Sequence, residues 1–316
     1  MTANTTILKP ADTKVTLGSR IRHQKYLLMM VMPAVVFVGI FSYMPMWGVL
    51  ISFVNYNPGL GLLKSQFVGF KYFQEFLTDS MFPLLIRNSF GISALNIAFG
   101  TAFPIMFALL LNEVGVLWFK KSVQTISYLP HFISFVVVAN IFLNVLSPDD
   151  GVVNSLLMGL GLIQEPVFFF SIPQLFWILV ASINTWKEMG WAAIIYIAAI
   201  ANIDPQLYEA AMVDGAGRWR RMWHITLKGI LPTIVVLFVL SVPDLLSAGF
   251  EPSFLLGNAM VSDYSNVLET YVYTIGIQQG KYSLATAVGL MRMVVGLVLI
   301  LSANAVSRRI SEYSLF

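Results

Sequence analysis

The sequence predicts an all-α integral membrane protein with six transmembrane helices, on three observations. Of its 316 residues, 57% are hydrophobic and only 11% charged, where soluble domains carry about 25% charged residues; the mean hydropathy is +0.76. Six apolar runs reach the roughly 20 residues that a helix needs to cross a bilayer. Lysine and arginine gather on one side of those runs. Strands of a membrane barrel are short and alternate, so long continuous runs mean helices.

The runs lie at 26–54, 88–112, 122–146, 172–200, 229–249 and 282–306. Residues 1–25 form a basic tail with Lys9, Lys14, Arg20, Arg22 and Lys25. The run that follows is too long for a signal-peptide core and no small-residue cleavage site closes it, so it is expected to stay as the first span. Pro33, Pro45, Pro104, Pro130 and Pro243 fall in or near spans, which bundles tolerate because neighbouring helices satisfy the freed carbonyls.

Orientation follows from the positive-inside rule. One side carries the tail, Lys120, Lys121, Arg218, Arg220, Arg221, Lys228, Arg308 and Arg309. The other carries Lys64, Lys71, Arg87 and Lys281, diluted by Glu75, Asp79, Asp149, Asp150, Glu165, Asp263 and Glu269. Both termini are therefore expected in the cytoplasm, as an even span count requires. The net charge of +3 reads as this asymmetry and not as a nucleic-acid surface. Organisation by segment is then the tail 1–25, a first helix with an outer surface segment over 26–87, a core over 88–308, and a tail at 309–316. In the outer segment, Phe70, Phe73 and Phe76/Leu77 are spaced like one face of a surface helix.

Several chemistries are excluded. There is no cysteine, hence no disulfide, thiolate metal site or cysteine nucleophile. His23, His131 and His224 lie far apart, which argues against a histidine metal site. Asp149 and Asp150 in SPDDG lack the ligand spacing of a calcium loop and read as a solvated turn. Neither an HExxH pair nor a GxSxG elbow appears. A phosphate-cradling GxxxxGK[ST] loop is also absent, so the chain does not serve as its own ATPase by that mechanism.

Between the fourth and fifth runs, residues 203–232 carry a message. Asp204 suits an N-cap, Pro205 a first helical position, and Ile203 a staple against Tyr208. A short helix from Pro205 would present Glu209, Ala210 and Ala211 before Asp214, Gly215, Ala216 and Gly217 break it. A basic amphipathic stretch from Arg218 leads back to the membrane. Spacing alone leaves two readings open, an elbow that docks another protein or one anchored at lipid headgroups.

Glu209-Ala210-Ala211, Asp214-Gly215-Ala216, Ile225, Leu227 and Leu231-Pro232 resemble the EAA loop of permease subunits in binding-protein-dependent ABC importers. Lys228 departs from the pattern, standing where that family commonly has proline. Segments 108–114, 123–138, 208–221 and 270–277 resemble the LplB-type branch of carbohydrate permeases, so the likeness spans nearly the whole chain. The resemblance implies a type I importer fold in a bacterial cytoplasmic membrane and an oligosaccharide cargo. It further implies a second homologous permease, an ATPase dimer holding ATP and magnesium, and an extracytoplasmic solute-binding protein. No cofactor is expected on this chain. The short helix at Glu209, Ala210, Ala211, Asp214 and Gly215 would seat in the ATPase.

Charges within spans are costly and need a reason. Lys187 and Glu188 stand in NTWKEMGW between Trp186 and Trp191, with Gly190 placed to loosen the helix. Aromatic rings beside hydrogen-bonding groups suit a sugar path; a structural ion pair or interhelical contact that locks the bundle is the other reading. Asp244 and Glu251 are further path candidates, because the resemblance places the fifth span and its outer loop beside the path; either acid could instead pair with Arg292. Asn96, Asn140, Asn144 and Asn184 read as interhelical hydrogen-bond groups. A secondary transporter driven by an ion gradient is the alternative function, with Lys187, Glu188 and Asp244 in proton coupling, but it leaves the elbow without a role.

Overall fold

The computed structural model describes residues 24–310, without the side chains of Ser307, Arg309 and Ile310; most of the predicted N-terminal tail, with His23, and positions 311–316 lie outside the described residues. Two compact units divide at Leu50 and Ile51. The first holds most of helix α1 (Lys25–Phe53), which runs on through Pro33 by way of π and 3-10 turns.

The second unit opens with a departure from the all-helical prediction. Strands β1 (Val54–Asn55) and β2 (Gln66–Phe67) pair antiparallel. Ser283 ties this hairpin to a later helix, accepting from the Tyr56 amide at 3.0 Å and donating to the Val54 carbonyl at 2.7 Å. The predicted surface helix follows as α2 (Lys71–Leu77), with Phe76 buried and Phe70 exposed.

Helix α3 (Phe82–Asn112) starts six residues before the predicted run. Its earlier start is accommodated because Arg87, read as a residue of the outer segment, and Asn88, the first residue of the predicted run, find partners. Arg87 lies 4.7 Å from the Tyr264 ring centre, and the Asn88 amide donates to the carbonyls of Asp263 and Asn266.

The predicted third span is two helices, α4 (Leu117–Phe132) and α5 (Phe135–Val145), bent by 104°. Ile133 and Ser134 between them are both extended, so the helical ladder stops and restarts in a new direction. A short α6 (Val152–Gly159) leads to α7 (Pro173–Ala201), 29 residues that start on a proline and extend about 43 Å.

The elbow follows as α8 (Pro205–Val213), α9 (Arg218–Gly229) and α10 (Leu231–Leu246), the last two bent by 55° at Ile230. This bend forms with Lys228 in place of proline, since Pro232 in the first turn of α10 still lacks an amide to donate. Short helices α11 (Phe250–Leu256) and α12 (Leu268–Tyr273) precede α13 (Tyr282–Ile310).

Among the described residues, α1, α3 and α13 are long and apolar enough to cross a membrane, and the two bent pairs raise the number to five. The core is three clusters. One gathers Phe135 and Val138 of α5 with Phe176 and Val180 of α7; a second gathers Phe76, Leu85, Leu284 and Val288; a third joins Ala108, Tyr196, Met222 and Ile230 beneath the elbow. Gly190 does not loosen α7 as predicted. It is buried where α4 crosses, and a Cβ there would stand 2.1 Å from the Ser127 carbonyl oxygen.

Candidate functional site

The elbow is built by its own sequence. Asp204 caps α8 by accepting from the Gln206 amide at 2.9 Å. Gly215, at φ +74°, closes the far end: the Ala216 amide donates to the Ala211 carbonyl at 2.8 Å and the Gly215 amide to Met212 at 3.1 Å, the double bond of a left-handed helix stop. Glu209, Ala210, Asp214 and Gly215 are exposed and Ala211 is half-buried. Leu207, Met212 and Val213 also face outward, Val213 at 89%, an apolar surface on a polar turn. Ile203 packs into the cluster beneath. Tyr208 bonds to buried Thr226 of α9 at 3.0 Å, which ties α8 to the arm that continues into α10.

The second constellation is a run of hollows between α3, α5, α7, α10 and the start of α11, one mainly polar and two with a few polar groups set in apolar walls. One of about 490 Å³ is lined by Asn96, Asn184, Lys187, Glu188, Ser247 and Glu251. A second, about 340 Å³, reaches Asp244, and a third, about 260 Å³, lies between Asn184, Glu188 and Pro104. Asn96 lines all three, so they form one polar track. The structure thus brings Lys187, Glu188, Asp244 and Glu251 to a shared surface.

Lys187 and Glu188 pair at 2.7 Å, the structural ion pair that the sequence left open. Other partners differ from the sequence reading in three ways. Arg292 pairs with Glu269 at 2.6 Å; among the described residues neither Asp244 nor Glu251 makes an ion pair. Asn184 donates to Asn96 across α7 and α3 at 3.1 Å, as expected, whereas Asn140 and Asn144 bond back to carbonyls of their own helix. Trp186 lies about 160° around α7 from both Asn184 and Glu188, edge-on to Phe142, and does not line the hollows.

His131 was missed. Its Nδ1 lies 2.6 Å from Glu188 Oε2, and Trp191 stacks on its ring at 4.4 Å. No sequence signal joins residues 57 apart across a bent helix. Among the described residues no group of histidines and acids is placed to hold a metal.

Apolar helices around a polar track, with an exposed and stiffly capped elbow, make a membrane permease. Residues 100–312 match the family described as the binding-protein-dependent transport system inner membrane component, and the chain belongs to that family. It is 44% identical to the polygalacturonan/rhamnogalacturonan transport system permease protein YteP of Bacillus subtilis (strain 168), over 93% of this chain and 91% of that one. Protein LplB of the same organism is 42% identical, over 94% and 92%. The fold matches a chain of the bacterial alginate ABC transporter solved with alginate pentasaccharide-bound periplasmic protein, at TM-score 0.85 and 39% identity, covering 95% of this chain and 99% of that one. The chain is a non-catalytic permease subunit of an ABC importer, an inner-membrane component with the predominantly helical type I fold. An ion-gradient transporter is thereby displaced as the alternative.

Proposed function

We propose that this permease imports an oligosaccharide by alternating access, with the elbow at Glu209–Gly215 transmitting ATPase closure to the polar track. Six spans are reached by adding α7 to the three long helices and two bent pairs. Its length suffices, and Lys187 and Glu188 lower its apolarity because they face the track. An even count puts both termini and the elbow in the cytoplasm, where Arg218, Arg220 and Lys228 follow the positive-inside rule.

The observation that carries the reading is the exposed apolar edge of a capped helix, hydrogen-bonded through Tyr208 to Thr226. It fits a groove on an ATPase dimer that holds ATP and magnesium. A second homologous permease completes the path, and a solute-binding protein delivers cargo from outside. The carbohydrate class is supported by the relatives named for polygalacturonan and alginate transport. Hydroxyl-rich cargo also suits the amides and carboxylates of Asn96, Asn184, Glu188, Asp244 and Glu251. Rigid-body rocking between two packed states is the physical route for such coupling.

Gly215→Pro is the test. Proline holds φ near −65° and has no amide to donate, so it is incompatible with the stop at +74°. In the assembled importer the variant should insert normally and lose saccharide-stimulated ATP hydrolysis. Unchanged stimulation would remove the elbow from the coupling path.

A further inference from the structure

Glu188 borders two of the three hollows of the track, and both of its oxygens are engaged. Oε1 accepts from Lys187 Nζ at 2.7 Å, and Oε2 lies 2.6 Å from His131 Nδ1. Lys187 donates in turn to the His131 carbonyl at 2.9 Å, so one residue of α4 grips this pair of α7 through its backbone and its ring. The carbonyl half of that grip is permanent, whereas the imidazole half depends on a proton. Resting on the import reading above, we propose that His131 is a positioning residue for transport. Its imidazolium holds the Glu188 carboxylate in one place on the wall of the track, and loss of the proton releases it, so that cargo recognition is proton-sensitive.

Three features point to the charged ring. The contact with Glu188 falls at the short, charge-assisted end of the N–H···O range. Nε2 makes no hydrogen bond among the described residues, so nothing fixes a neutral ring in the tautomer that carries its proton on Nδ1, while the imidazolium donates from Nδ1 in every case. Trp191 lies flat on the ring, 4.4 Å away with 1° between the planes, which keeps Nδ1 aimed at Glu188 and sets an indole face against the cation.

The titratable and charged groups around the ring are few. From α7 it meets Glu188 and Lys187. Glu251 of α11 borders the same hollow as that pair, and Asp244 of α10 borders the next. On α4 itself Tyr128 stands three residues earlier, and α3 and α5 bring Asn96 and Phe135, without charge.

The competing role is a clamp that merely locks the bundle. The crossing of α4 and α7 is already fixed two residues further on, where Gly190 sits against the Ser127 backbone. Glu188 keeps 46% of its side chain exposed, against 13% for Lys187, so the group that His131 holds is the one open to the track. A carboxylate held in place before cargo arrives spares the cost of ordering it on binding.

Two readouts on the importer assembled with its other subunits test this role. His131→Gln keeps an amide donor and does not titrate. Between about pH 5 and 8, where histidine ordinarily changes charge, the saccharide concentration for half-maximal ATP hydrolysis should rise roughly three-fold in the wild type relative to His131→Gln. Trigalacturonate and maltotriose are the probes. The rates at saturation should keep a constant ratio, and the pH-dependent difference should vanish when both proteins carry Glu188→Gln. The second readout needs no cargo. Ser247→Cys places a thiol on the hollow in a chain that has none. Its labelling by a cationic and an anionic methanethiosulfonate is taken as a ratio, which cancels the ionisation of the thiol itself. That ratio should rise roughly three-fold over the same pH range as the ring loses its charge, and stay level once His131→Gln is added. A level ratio in Ser247→Cys alone, or the same pH course with and without His131→Gln, overturns the proposal. A difference that survives Glu188→Gln overturns action through that carboxylate. If neither saccharide stimulates hydrolysis, the carbohydrate reading falls, and the labelling ratio still decides the role of His131.

Discussion

Glu188 of α7 reaches His131 at the end of α4, Oε2 to Nδ1 at 2.6 Å, and its other oxygen holds Lys187 Nζ at 2.7 Å. Lys187 also donates to the His131 carbonyl at 2.9 Å. The bridge clamps α7 beside the 104° bend and faces the polar track. Lys187, with 13% of its side chain exposed, is held more tightly than Glu188 at 46%. A double-mutant cycle of Lys187→Ala and Glu188→Ala should therefore show a coupling of about 1 kcal/mol, read from thermal unfolding of the purified importer. Strict additivity would mean the two charges act separately.

Gly190 predicts a sharper loss. Gly190→Ala drives a methyl against the Ser127 backbone, and overpacking of this kind costs about 1–3 kcal/mol. Gly100→Ala is the control: it lines the track, yet an added Cβ meets nothing within 4 Å. On helix propensity alone it should be neutral or stabilising, by up to about 1 kcal/mol. Melting temperatures of the two variants should move apart; equal shifts would refute a close α4–α7 crossing.

Sequence made the helices and the elbow legible because each has a local cause. Apolar length marks α3 and α13, and Asp204, Pro205 and Gly215 mark α8 by cap, first position and stop. Positions set by distant partners were not legible. The early start of α3 depends on carbonyls 175 and 178 residues away from Asn88, and the partner of Arg292 is an acid on α12 that composition could not separate from Asp244 or Glu251. The break at Ile133 was hidden because residues 122–146 hold no charged residue and no glycine, so the predicted run passed through it without a gap.

Asn88 is the third prediction. Fully buried, its amide donates to Asp263 at 3.0 Å and Asn266 at 2.8 Å, and its own oxygen accepts from Arg87 Nε at 3.1 Å. Asn88→Ala strands the Asn266 carbonyl and leaves the Asp263 carbonyl with Arg87 as its donor, with an expected cost of about 1–3 kcal/mol. Asn88→Asp should fare no better, since a carboxylate cannot donate to carbonyls. Limited proteolysis of the outer segment around residues 258–267 should quicken in both; unchanged cleavage would show that α3 does not hold that segment.

The last prediction concerns Tyr271 of α12, whose hydroxyl donates to Asp79 Oδ2 at 2.6 Å between α2 and α3. Burial, and then the bond to the Asp79 carboxylate, push the Tyr271 hydroxyl above its ordinary value of 10.0. A raised folded value means that the protonated form is favoured in the fold. The stabilisation is thus complete below pH 10 and is lost as pH climbs through the folded value, because phenolate and carboxylate then repel. Tyr271→Phe should lower stability by about 1.5 kcal/mol at neutral pH and flatten the alkaline limb of the stability profile. Asp79→Asn should keep an acceptor, lose the charge, and let Tyr271 ionise earlier in an ultraviolet titration than it does in the wild type. An alkaline limb that persists in Tyr271→Phe would assign it to another group and leave the bond as packing alone.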